Sequence, residues 1–100
     1  MNMRTVILRY VLKKMKFDVP TGMWQVESTE GTFEPQEGQV LPFEKFSFLK
    51  VHKVSPECIE FKYVDSDYYP HILTRGGEIK FENDNEGLYG TSYIMRFYLD

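Results

Sequence analysis

A cysteine, a histidine and a glutamate lie close together in the sequence and have the residue types that nucleophilic catalysis requires. They are Cys58, His52 and Glu60. A thiolate can attack, an imidazole can take up a proton and a carboxylate can orient that imidazole. If residues 46–54 and 58–64 pair as strands around a three-residue loop, His52 lies directly opposite Glu60. Because half of all strand residues share a face and no oxyanion donor is evident, we interpret these residues as a cross-strand pair and predict no enzyme.

Two acidic runs carry the oxygen-bearing side chains that calcium binds. One is ENDNEG at residues 82–87, and the other is DSD at residues 65–67. An EF-hand loop begins with Asp and ends with a bidentate Glu at its twelfth position, whereas the twelfth residue from Glu82 is Tyr93. We therefore predict solvated turns at both places, with no metal and no cofactor.

Aromatic side chains form the remaining class of candidate site, because flat rings with polar groups stack on sugars and on partner proteins. Several lie in or beside predicted loops, and two lie on the second face of a predicted hairpin. The candidate binding residues are Trp24, Tyr68, Tyr69, Tyr89, Phe46 and Phe48. A small β domain also needs about this many large side chains to fill its core and rim, so both interpretations stay open.

The element that must position these groups is a β-hairpin predicted over residues 46–64. Apolar side chains occupy alternate positions on both sides of a turn that contains Pro56. The register that aligns them pairs Val51 with Phe61. The same register pairs Leu49 with Tyr63, so the apolar positions of both strands share one face.

Further strands are predicted along the chain, separated by glycine, proline and aspartate turn signals. They cover residues 5–17, 23–29, 39–43, 46–54, 58–64, 69–74, 78–82 and 91–99. Residues 5–17 also fit a helical stripe, but β-branched residues favour a strand whose lysines would protect a sheet edge. Residues 29–38 are predicted to form a loop anchored by Phe33.

Composition agrees with an all-β fold. Aromatic residues make up 16% of the chain and alanine is absent, which favours strands over helices. We predict one domain over residues 1–100, a small antiparallel β-sandwich or a partly closed β-barrel of about seven short strands.

Charge and cysteine content restrict the partners. The net charge is −3, and residues 1–18 carry +4, which leaves −7 on the remainder. Because such an acidic body repels phosphate, we predict no nucleic-acid partner. A single cysteine and the lack of a long apolar run indicate a cytoplasmic protein with no membrane contact, although a domain cut from an exported chain would look the same.

Several predicted strands are apolar on both faces, so a further surface has to cover them. We predict a non-catalytic protein-interaction module, a small acidic regulator, inhibitor or immunity-type protein that acts through a sheet face or edge. Its partner would be another protein or a second copy in a homodimer. The alternative is a β module that binds a small molecule or a carbohydrate through its loop aromatics.

Overall fold

The computed structural model describes residues 5–66, 68–84 and 90–100. Seven strands in these residues form two antiparallel sheets. The strands are β1 (Leu8–Asp18), β2 (Met23–Phe33), β3 (Leu49–Val54), β4 (Cys58–Tyr63), β5 (His71–Thr74), β6 (Glu78–Asp84) and β7 (Thr91–Tyr98). The first sheet has the order β2-β1-β7-β6 and the second has the order β3-β4-β5. The predicted all-β architecture is confirmed as a small sandwich, and the described residues form no closed barrel.

Apolar side chains from both sheets fill the space between them. The core residues are Leu8, Phe33, Leu41, Phe46, Leu49, Val51, Ile59, Phe61, Leu73, Phe81, Met95, Phe97 and Leu99. Phe61 of β4 stacks on Phe97 of β7 with ring centroids 5.4 Å apart and planes inclined by 17°. Stacked rings from opposite sheets therefore join the two layers, and such contacts add to the stability gained by burial alone.

The predicted central hairpin is confirmed over most of its length. Val51 pairs with Phe61 and both side chains are fully buried. Beyond Val51 the register shifts by one residue, so Lys53 lies opposite Glu60. The predicted pairing of His52 with Glu60 is therefore wrong. A bulge inserts an extra residue at His52, and this shift turns Val54 toward the core, where it packs.

Residues 5–17 are mainly strand, as predicted, but their predicted place at a sheet edge is wrong. β1 lies inside the first sheet between β2 and β7, and β2 and β6 form the edges. β2 also continues to Phe33, through residues predicted as loop. Gly31 lets the strand continue here, because the ring of Tyr10 lies where a side chain at residue 31 would project. Phe33, predicted as the anchor of that loop, is buried and ends the strand instead.

β1 and β2, which form a hairpin, are the longest strands among the described residues. Each of its strands contains 11 residues. Every residue of β2 from 23 to 30 is exposed, so neither face of this part of the strand is covered. Among the described residues, no helix has the length and apolar character needed to cross a bilayer.

Candidate functional site

The turn before Cys58 is closed by hydrogen bonds to the chain itself. The Ser55 N–H donates to the Cys58 carbonyl at 3.0 Å, and the Cys58 N–H donates to the Ser55 hydroxyl at 3.0 Å. The half-buried Cys58 thiol lies 3.8 Å from that hydroxyl. With Lys53 opposite Glu60, the strand ladder does not supply the histidine–carboxylate pair that the cysteine hypothesis required.

The two acidic runs lie partly outside the described residues, at positions 67 and 85–87. Within the part of the chain that the structure describes, no group of three or more His, Cys, Asp or Glu side chains is arranged to hold a metal ion.

The aromatic candidates do not form one surface. Trp24 lies in β2 and is 56% exposed, and its ring packs on Phe17 with centroids 5.3 Å apart. Tyr68 and Tyr69 precede β5 in the other sheet and are 76% and 91% exposed. Among the described residues, no ring contact joins Trp24 to either tyrosine. Tyr89 lies outside the described residues.

The two phenylalanines of the candidate set have different environments. Phe46 ends the 3-10 turn at Glu44–Phe46 and is fully buried, so it offers no surface to a ligand. Phe48 is partly exposed, between Phe46 at 5.9 Å and Tyr63 at 5.9 Å. Phe46 therefore supports Phe48 from within the core.

Beside Trp24, the outer face of the β1–β2 hairpin carries three apolar side chains that the sequence reasoning missed, those of Val26, Met15 and Phe17. Val26 pairs with Met15 next to the pair of Trp24 and Phe17, and the four side chains project from the same face. Val26 is 57% exposed. The signal was present in the sequence, since Trp24 and Val26 alternate with polar residues in the predicted strand over residues 23–29. We call these four residues the hairpin patch.

The free edge of β2 adjoins this patch. β2 ends the first sheet, so its second backbone edge pairs with no described strand. Exposed edge strands usually carry lysine, proline or a bulge that prevents pairing with other chains. β2 contains neither lysine nor proline, its charged residues are the two glutamates Glu27 and Glu30, and its register with β1 is unbroken from Met23 to Phe33. Its edge is therefore open to strand addition.

The described structure has three sheet edges besides β2, at β3, β5 and β6. Residues 38–41 run along β3, where the Val51 N–H donates to the Gln39 carbonyl at 2.8 Å and the Leu41 N–H donates to the Leu49 carbonyl at 3.0 Å. At β6, charged residues alternate on the outer face, and the Asn83 side chain donates to the Lys45 carbonyl at 2.6 Å. These two edges are thus covered or charged. The third, β5, is only four residues long, His71–Thr74, against the eleven residues of β2.

Lysines line the other face of the hairpin. Lys14 pairs with Glu27, and Lys16 pairs with Gln25. The ion pairs found among the described residues involve neither lysine. By contrast, the Arg9 guanidinium donates to the Asp100 carboxylate at 3.1 Å, and this hydrogen bond raises the pKa of Arg9. The ammonium groups of Lys14 and Lys16 are therefore available to bind a carboxylate.

Comparisons with protein-family models, with curated proteins and with solved structures find no match to this chain. The functional assignment therefore depends on the surfaces described above.

Proposed function

We propose that this chain is a non-catalytic protein-interaction module that binds its partner by strand addition at β2. The observation that carries the proposal is the open β2 edge, which has neither lysine nor proline and adjoins the hairpin patch. In strand addition, backbone hydrogen bonds along the edge supply affinity, and side chains at alternate positions supply specificity. Through this contact the chain would act as a small regulator, inhibitor or immunity-type protein.

The hairpin patch would supply the side-chain part of this contact. Trp24 offers a large ring held by Phe17, and a ring held in one orientation loses little conformational freedom on binding. Tryptophan is also among the residues that most often dominate the binding energy of protein interfaces. Truncating Trp24 should therefore weaken binding more than truncating the other patch residues.

Affinity capture with matched variants tests the proposal. The purified chain is immobilised, and its bound proteins are compared with those of Val26→Lys. Ile72→Lys is the control, because Ile72 is equally exposed but lies in β5 of the other sheet. We expect a partner that both the wild type and Ile72→Lys retain and Val26→Lys loses. Retention of every partner by all three proteins would refute the role of β2.

Carbohydrate or small-molecule binding is the second proposed function. It is supported by the exposure of Tyr68 and Tyr69, neighbouring rings that could stack on a sugar. A glycan array probed with the wild type, Tyr69→Ala and Trp24→Ala separates the two functions. A sugar signal lost in Tyr69→Ala would support ligand binding, and an array without signal would favour the protein-interaction module.

A further inference from the structure

We infer that the partner of β2 is β2 of a second copy of this chain, paired antiparallel about a two-fold axis at Val26. This inference rests on the proposed function, because it names the partner of the same edge. In a two-fold interface, each residue that contacts a second residue is contacted by it in return. A strand that pairs with itself must therefore be complementary to its own reversed sequence.

The outer face meets this condition when Val26 faces Val26 of the second copy. Because Val26 pairs with Met15 in each copy, one continuous apolar row then crosses the interface. Two residues from the axis, on the same face, Trp24 lies opposite Ser28 of the second copy. The small serine side chain leaves room for the indole. Trp24 also lies diagonally next to Val26 of the second copy, within reach of a large ring. The two hairpin patches thereby become one.

The opposite face of the sheet is complementary in charge. The same axis places Glu27 opposite Gln25 of the second copy, which is itself paired with Lys16. Glu27 pairs with Lys14 in its own copy. Each Glu27 carboxylate would therefore have Lys14 of its own chain on one side and, beyond Gln25, Lys16 of the second copy on the other. The two Glu27 carboxylates would lie diagonally next to each other across the axis, with the four lysines of the two copies around them. Among the described residues, neither Lys14 nor Lys16 forms an ion pair within the single chain, and the two-fold axis repeats the arrangement.

Two-fold axes at the neighbouring residues would give less complementary pairings of the two strands. An axis at Glu27 would place two carboxylates directly opposite each other, which is unfavourable. An axis at Ser28 would place the apolar Val26 against Glu30. An axis at Gln25 would keep only residues 23–27 paired, whereas the axis at Val26 pairs residues 23–29. Axes at Glu27 and Ser28 would pair longer ladders, residues 23–31 and 23–33, so Val26 is preferred for its apolar and charge contacts and not for ladder length.

Sedimentation equilibrium of the full chain tests self-association. We expect twice the monomer mass of 11.9 kDa at concentrations of about 10–100 μM, typical of a contact of modest size. Val26→Lys should be monomeric, and Ile72→Lys should remain dimeric. Glu27→Lys should weaken the dimer at least about tenfold, because it places three cations together. Circular dichroism identifies any variant that has not folded.

Disulfide trapping tests the register. Cys58→Ser supplies a background without cysteine, and Val26→Cys is added to it. Residues directly opposite in an antiparallel pair have the Cα separation that a disulfide needs. We therefore expect Val26→Cys to form a dimer under mild oxidation. Ser28→Cys alone should not, but it should cross-link to Trp24→Cys when the two proteins are mixed.

The outcomes separate this inference from the proposed function. A dimer trapped by Ser28→Cys alone, and not by Val26→Cys, would overturn the register. A monomer throughout the concentration range would overturn self-pairing, and β2 would remain an interaction site only if affinity capture found a different protein that Val26→Lys loses. A monomeric chain that captures no protein through β2 would refute both.

Discussion

The stacked pair of Phe61 and Phe97 gives the sharpest test of how the two sheets are held together. Each ring is fully buried, and their centroids lie 5.4 Å apart across the interface between the sheets. Phe61 also contacts Phe81 edge-on at 5.3 Å. Replacing Phe61 or Phe97 with leucine keeps the site apolar and removes the ring. The two single variants and the double variant form a cycle that measures the contact between the rings.

The expected magnitudes follow from burial and ring contact. Each substitution removes roughly three buried carbon atoms at about 0.8 kcal/mol each, or about 2 kcal/mol. Loss of the stacked contact adds about 1 kcal/mol. Each single variant should therefore lower the unfolding free energy by about 3 kcal/mol. The double variant should lose about 1 kcal/mol less than the sum of the two, since the shared contact is lost only once.

Urea unfolding followed by circular dichroism measures these free energies. Tyr69→Leu is the matched control, because it removes an aromatic ring that is almost fully exposed, and it should change stability by less than about 0.5 kcal/mol. Trp24 fluorescence is a poor substitute because Trp24 is exposed in both states. Strict additivity of the two leucine substitutions, or a loss below about 1 kcal/mol for either, would refute the stacked contact between the sheets.

Substitutions at three further positions test separate contacts, each by the midpoint of thermal unfolding. Gly31→Ala should cost about 1–3 kcal/mol, because its Cβ would lie 2.6 Å from the hydroxyl oxygen of Tyr10, and an unchanged midpoint would contradict that close approach. Asn83→Ala should cost about 1 kcal/mol, since it deletes the hydrogen bond to the Lys45 carbonyl, whereas Asn83→Asp should not restore it, because a carboxylate cannot donate. Asp100→Asn should leave the midpoint unchanged, because its ion pair with an arginine of β1 is exposed, and a marked decrease would show that this pair matters.

The alternation of apolar and polar residues along the chain predicted most of the strands and most of the register of the central hairpin. It failed at His52, where an extra residue shifts the register and no change in residue type marks the bulge. It also failed on the position of β1, because the pairing of Arg9 with Tyr98 joins distant parts of the chain. The order of strands within a sheet depends on contacts between residues far apart in the sequence. A local pattern of residue types contains no information about such contacts.

The candidate site could be predicted only in part. Trp24 was singled out for its ring and is exposed beside an open edge, but the role of Val26 required knowledge of which strand ends the sheet. Phe46 was assigned to an outer face by strand alternation. It belongs instead to a 3-10 turn that directs it into the core, where the two-residue period does not apply.

The unpaired backbone edge of β2 also affects how fast its backbone amides exchange with solvent. Over residues 23–30 the strand is held by β1 alone and has water on both faces, so its amide protons should exchange among the fastest of any strand. A docked strand would occupy the second flank and slow their exchange, while amides in the sandwich centre would keep their rates. Deuterium uptake at this hairpin would therefore report association directly, without an attached probe.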